Sequence, residues 1–294
     1  MTDVNTVINA FMVGSARRLA TLGNVLGGAN YRKDADALDL QANITAAAMQ
    51  KLLFDQTTQL FVDGFSMEGR TSSPLTHSAW HAQTNSLWFN LVPDAEQSKM
   101  VAFLKGKGMV GSVYGAFAVL MGAYGADTDH GNLALQLMTS CDESSWCHML
   151  SVNATATMEA WSRAQKPNLS WSHPWASAPA TAIARGLMGI TATKPAYAGW
   201  NVMPQPGNLT WGSISMPTKK GQFKSSFNAT DTAFKVVVDP PGNTEGTICV
   251  PKLGASTTVA VNSQSRAARV QGEYLCVDNI AAGAIPTTVE SKAQ

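Results

Sequence analysis

Two stretches near the middle of the chain concentrate side chains suited to sugar chemistry: Ala154-Thr-Ala-Thr-Met-Glu-Ala-Trp161 and Trp171-Ser-His-Pro-Trp175. An indole face offers the C–H face of a sugar ring a flat apolar platform. A carboxylate beside such a platform is what cleavage of a glycosidic bond requires. Glu159, with Trp161, Trp171 and Trp175 around it, therefore reads as a candidate sugar site. The competing reading is a solvated glutamate among indoles that fill a core.

A second cluster is Phe61-Val-Asp-Gly-Phe65 followed by His77-Ser-Ala-Trp-His-Ala-Gln-Thr-Asn85. Asp63, placed before Gly64, could end a helix in a loop that faces a cleft. His81, Gln83 and Asn85 could hydrogen-bond hydroxyl groups, and a structural role for His81 fits the same spacing. Other chemistries find no footing. The histidines at 77, 81, 130, 148 and 173 lack carboxylate or thiolate partners at ligand spacing, so no metal is expected. Gly23 to Gly28 has the wrong spacing for a dinucleotide loop and no Lys-Ser/Thr for a phosphate loop, and no Gly-x-Ser-x-Gly elbow occurs. No cofactor is expected.

These residues need elements to hold them, and the chain has two regimes. Up to about residue 190 it reads as helices. Ile8, Phe11, Met12, Ser15, Leu19 and Leu22 mark one helical face, and Leu38, Ala42, Ala46, Met49 and Leu53 another. Val113, Ala116, Phe117, Leu120, Met121 and Tyr124 form the clearest stripe, behind Ser112 as an N-cap and before Gly125 as a stop. Further helices are expected near 78–91, 95–106, 130–140, 154–163 and 177–189, the last with Pro179 in its first turn. After Tyr197, short β-branched and aromatic runs separated by Gly, Pro and Asn predict strands at 209–215, 222–227, 233–238, 247–250, 257–261 and 272–277. Met203-Pro-Gln-Pro-Gly207 reads as the connection.

With 294 residues and 45% hydrophobic content, the chain can build a sizeable core. A formal charge of +1 gives no field to attract a polyanion, so nucleic acid is not an expected partner. No apolar run approaches the length that a bilayer needs, so no membrane partner is expected either. No signal peptide is visible at the N-terminus. The cysteines fall into local pairs, Cys141 with Cys147 and Cys249 with Cys276, and Asn-x-Ser/Thr sequons lie at Asn43, Asn153, Asn168, Asn208 and Asn228. Both features suit an oxidising, secretory environment. Reduced thiol pairs and chance sequons are the alternative.

Taken in chain order, Phe61-Val-Asp-Gly64, His81-Ala-Gln83, Gly111-Ser-Val-Tyr114, Ala154 to Trp161, Ser172-His173 and Pro204-Gln-Pro-Gly207 resemble the C-terminal part of the family 78 glycoside hydrolases, the α-L-rhamnosidases, particularly their fungal branch. The tail from Val236 to Pro251 is similar to that family's closing strands. The resemblance extends over nearly the whole chain. It implies an (α/α)6 barrel followed by a small antiparallel β-sandwich, here an incomplete helical toroid over 1–195 and the sandwich over 196–294. It also implies inverting hydrolysis of terminal α-L-rhamnosides, in which one carboxylic acid protonates the leaving oxygen and a carboxylate about 6.5–9.5 Å away activates water. On this likeness Glu159 is the general base and His173 a ligand of the rhamnose hydroxyls. Asp63 and His81 line the sugar subsite, and Trp161, Trp171 and Trp175 stack or support.

Departures from the family pattern qualify the likeness. Ala156 and Met158 stand where the family usually has Thr and Trp. The family's acid-bearing segment has no counterpart beyond a faint one at Asp63-Gly-Phe-Ser-Met-Glu-Gly-Arg70, which is out of place. A complete barrel has twelve helices, and the pattern yields about eight before residue 190, a deficit of roughly one to two hundred residues. The expectation is a C-terminal fragment of a longer enzyme or a shortened homologue, with apolar faces that invite self-association or a missing N-terminal half. If the native gene carries an upstream signal, the protein is extracellular. Two rival readings are a non-catalytic carbohydrate-binding or assembly protein and a lyase on the same kind of barrel.

Overall fold

A computed structural model describes residues 3–66, 73–126 and 130–293. The chain forms two compact units, residues 1–129 with 136–178, and residues 130–135 with 179–294.

The first unit is mainly helical. Strand β1 (Val4–Asn5) leads into α1 (Thr6–Leu26), whose first turn is capped by the Asn5 side chain accepting from the Ile8 N–H. After α2 (Ala29–Leu52) come the short strands β2 (Phe54–Asp55), β3 (Leu60–Phe61), β4 (Gly64–Ser66) and β5 (Ser73–Pro74). Then follow α3 (Trp80–Trp88), α4 (Asp94–Lys107), α5 (Ala116–Ala126), α6 (Asn132–Thr139), whose first residues belong to the second unit, and α7 (Trp146–Ser151); α8 (Ala178–Ala182), in the second unit from Pro179 onward, runs on as a π-helical turn, Ile183–Leu187. Pro179 is the second residue of α8, where its missing N–H has no intrahelical partner to lose.

The expected burial of α1 is reversed. Ile8, Leu19, Leu22, Val25 and Leu26 are exposed, while Ala10, Val13, Gly14, Ala16 and Ala20 are buried. Small residues allow close approach of a neighbouring helix, and the buried face of α2 is likewise Ala35, Ala42, Ala46 and Met49. The large apolar residues of α1 are left outward. Two other expectations are corrected. Residues 154–163 are irregular rather than helical, and α5 begins at Ala116, with Ser112 heading the preceding turn.

The second unit is a sandwich of two sheets. Strands β6 (Ile190–Ala192), β7 (Gly199–Val202), β8 (Trp211–Thr218), β9 (Gly221–Ala229), β10 (Ala233–Asp239), β11 (Glu245–Pro251), β12 (Thr258–Val261), β13 (Gln264–Ala267), β14 (Arg269–Gln271), β15 (Tyr274–Ala281) and β16 (Thr287–Lys292) follow in order. They form a six-stranded sheet, β13-β12-β16-β10-β9-β8, and a five-stranded one, β14-β15-β11-β7-β6. Pairing is antiparallel except for β11 with β7, which run parallel. Alternation decides which face is inside: Phe223, Phe227, Phe234, Val236 and Val238 are buried, and their neighbours along each strand are not. Phe223 meets Trp200 of the other sheet edge-on at 5.3 Å. Pro204 to Pro206 is no free connection, because all three residues are buried and the Gln205 N–H donates to the Leu187 carbonyl at 3.0 Å.

Gly246 pairs with Trp200 across the parallel ladder. A Cβ at 246 would lie 2.2 Å from both the Trp200 ring and its carbonyl oxygen. Neither group can move without opening the core. Gly246→Ala should destabilise the sandwich by about 1–3 kcal/mol, read as a lower midpoint in thermal unfolding; an unchanged midpoint would refute the packing argument.

Candidate active site

Glu159 sits in an irregular segment held by backbone pairing. Asn153, at φ 61°, ends α7, and the Thr-rich stretch beyond it runs alongside residues 170–173. The Glu159 N–H donates to Ser170 O at 3.0 Å, the His173 N–H donates to Thr157 O at 2.7 Å, and the Thr157 hydroxyl donates to His173 O at 2.6 Å. These bonds hold the segment that carries Glu159 alongside the segment that carries His173.

The carboxylate is strongly solvated by the protein itself. Lys166 Nζ donates to Oε1 at 2.6 Å and the Ser170 N–H to Oε2 at 2.9 Å, with the glutamate side chain 22% exposed. The Lys166 hydrogen bond, then that of Ser170, hold the Glu159 carboxyl below its ordinary value. The group is therefore ionised at neutral pH, as a base must be, with reduced proton affinity.

His173 caps the short helical turn Pro174–Ala176, its Nδ1 accepting from the Trp175 N–H at 3.4 Å. In the neutral ring, that arrangement places the proton on Nε2, a donor for a hydroxyl group. Trp175, 54% exposed, lies 4.6 Å from the His173 ring and 5.1 Å from Tyr114. Trp175 and Tyr114 border a groove of about 360 Å³ lined also by Phe11, His81, Asn85 and Phe117. Neither Glu159 nor His173 is one of the groove's lining residues.

The other expected residues separate by role. Trp171 is exposed. Trp161 is 1% exposed, donates its indole N–H to Gly111 O at 2.7 Å and meets Trp146 edge-on at 5.0 Å, so it supports and presents no face to a ligand. Asp63 ends no helix. It precedes β4, and its carboxylate accepts from the Ala79 N–H at 2.7 Å and contacts the His77 ring, which fixes the start of α3. Gln83 is buried and clasps both the N–H and the C=O of Phe61, at 2.9 and 2.7 Å. His81 is exposed on α3 and borders the groove. Residues 67–70 of the faint acid-segment likeness lie outside the described residues.

Lys166 and Tyr114 were not singled out from the sequence as site residues. A lysine seven positions after a glutamate in an aperiodic segment carries no pairing signal. Tyr114 figures in the sequence only as part of the family-like segment Gly111-Ser-Val-Tyr114, with no role attached. Both cysteine pairs are bonded, Cys141 to Cys147 and Cys249 to Cys276, the latter across directly paired positions of β11 and β15. The five sequon asparagines, 43, 153, 168, 208 and 228, are all exposed. Among the described residues no three His, Cys, Asp or Glu side chains converge as metal ligands, and no helix is long and apolar enough to cross a membrane.

Because the shift of Glu159 is downward, the stabilisation from its ion pair is present above the ordinary glutamate range and is lost as pH falls through the depressed value. Lys166→Met should move the Glu159 titration upward, toward the ordinary 4.5. Carbon-detected NMR of labelled glutamate carboxyls reads this directly. An unmoved titration would assign the depression to the Ser170 N–H alone.

Comparison with known proteins follows the same division of the chain. Residues 1–186 match the family model of the bacterial alpha-L-rhamnosidase 6 hairpin glycosidase domain, and residues 189–265 that of the bacterial alpha-L-rhamnosidase C-terminal domain. Among solved structures, the chain is similar to the alpha-L-rhamnosidase from Dictyoglumus thermophilum, with a TM-score of 0.73 and 16% identity over 95% of this chain and 31% of that one. It is similar to the Streptomyces avermitilis alpha-L-rhamnosidase complexed with L-rhamnose, at 0.73 and 18% over 97% and 26%. A third is the Aspergillus terreus enzyme, at 0.67 and 15% over 94% and 30%. Comparison with curated proteins gives no match. The chain thus spans between a quarter and a third of the length of these structures. With both family models matched in order and the helical part followed by its β-sandwich, the chain belongs to the α-L-rhamnosidase family, in its six-hairpin glycosidase and C-terminal domains.

Proposed function

We propose that this chain supplies the base-bearing part of an inverting α-L-rhamnosidase, with Glu159 as the general base that activates water against the anomeric carbon of a terminal α-L-rhamnoside. The observation that carries the reading is that Glu159, held ionised by Lys166 and Ser170, lies on a segment hydrogen-bonded to the one that carries His173. His173 Nε2 would donate to a rhamnose hydroxyl. Trp175 and Tyr114 would receive the apolar face of the sugar or its aglycone.

The acid that must protonate the leaving oxygen is assigned to a segment outside this chain. The sequence holds only a faint and displaced likeness of the family's acid-bearing segment, at Asp63 to Arg70. The outward apolar stripe of α1, with Ile8, Leu19, Leu22 and Leu26, supports a further helical segment, or a second copy, covering that face. The oxidising compartment expected from the cysteines accords with the two bridges.

A second reading, retained because the acid is missing, is a carbohydrate-binding protein on the same fold. Hydrolysis of an aryl α-L-rhamnoside separates the two. In a polypeptide that carries the acid segment together with this chain, Glu159→Gln should lower kcat by about 10²–10⁴-fold or more while rhamnose binding persists. Turnover indifferent to that change would dismiss Glu159 as the base. Rhamnose binding by calorimetry with no turnover in any form would favour the binding protein.

A further inference from the structure

On the outer face of the six-stranded sheet, strands β8 and β9 are mainly polar. Along β8 the outward side chains are Trp211, Ser213, Ser215 and Pro217, and along β9 they are Gln222, Lys224, Ser226 and Asn228. Trp211, at 69% exposure, is by far the largest apolar group there. Leaving an indole in water forgoes burial that a neighbouring strand could have supplied. Its cross-strand partner is Asn228, in direct antiparallel register. Directly opposed side chains share a face, with Cβ atoms about 4.5–5.5 Å apart. Asn228 opens the sequon Asn228-Ala-Thr230, two residues before the β9–β10 turn, and it is itself exposed. Among the described sequons this asparagine alone has an aromatic residue as its in-register partner, since Asn43 lies in α2 and Asn153, Asn168 and Asn208 lie outside strands.

We propose that Asn228 is an N-glycosylation site and that Trp211 is the platform on which the first N-acetylglucosamine stacks. In the transfer, the Asn228 amide nitrogen attacks C1 of the reducing-end sugar of a polyprenyl-pyrophosphate-linked oligosaccharide. The C1–N bond forms, the C1–O bond to pyrophosphate breaks, the amide releases one proton and the lipid pyrophosphate departs with the bonding electrons. On the folded sheet the new sugar stands beside the indole, and its C–H face covers apolar surface otherwise left to water. The sugar would thereby brace the exposed edge strand β8. The two disulfides accord with passage through the oxidising compartment in which such donors are used.

The test is the full chain secreted from yeast. Glycopeptide mass spectrometry should find Asn228 occupied, and the acetyl methyl of its first sugar should show a ring-current-shifted proton resonance that disappears in Trp211→Ala. Trp211→Ala should lower the melting temperature of the glycosylated protein by about 2–4 °C, and by under about 1 °C in the Asn228→Gln background. Both positions are exposed, so neither change threatens folding. An unoccupied Asn228, or an equal effect of Trp211→Ala in both backgrounds, would overturn the proposal. Neither outcome bears on the role of Glu159, which lies in the other unit.

Discussion

The candidate site depends on the backbone pairing of two segments that belong to no helix or sheet. Residues 157–159 and 170–173 exchange four hydrogen bonds, and these hold side by side two segments, one with a carboxylate and one with an imidazole, that would otherwise be separate loops. Loops that hold chemistry need such over-determination, because unpaired backbone groups would let them drift by more than a reacting geometry tolerates. Lys166 and the Ser170 N–H then tie the carboxylate to the same scaffold. The ion pair both positions Glu159 and keeps it charged. Buried Trp161 fastens this segment to Gly111 and so to the turn that precedes α5.

The same logic places the groove. Asp63 and Gln83 spend their polar groups on the backbone at the entry of α3 and on Phe61, so α3 is fixed relative to the short strands. Gly111 leaves room for the Trp80 ring, since a Cβ there would come within 2.4 Å of it. His81, one residue further along, is left facing outward. Of the residues chosen from the sequence as sugar ligands, His81 and Trp175 border the groove, while Asp63 and Trp161 hold backbone in place.

Family resemblance, helical half and sandwich were all legible, and for different reasons. Strands β9 and β10 declare themselves by their aromatic and β-branched residues, Phe223, Phe227, Phe234 and Val236 to Val238. Helix α2 shows its buried stripe as Ala42, Ala46 and Met49. Helix α1 misled because large residues dominate any hydrophobic pattern, whereas close helix packing favours Ala and Gly. The stretch 154–163 misled in the opposite way: Ala, Met and Glu have good helix propensity, but pairing with 170–173 overrides it. The parallel match of β7 with β11 lies 45 or so residues apart in sequence, beyond the reach of any local pattern.

Residue order alone determined the chemistry on offer: one glutamate in a Thr- and Trp-rich stretch, a histidine between tryptophans, paired cysteines and the order of family motifs. Such features are carried by side-chain type and spacing, which folding does not alter. Tertiary structure decided which of them meet. That Lys166 neutralises Glu159, that Trp161 is buried while Trp175 is exposed, and that Trp211 lies opposite Asn228 are consequences of contacts between distant segments. Their energies depend on distance and burial, quantities that exist only once the chain has closed on itself.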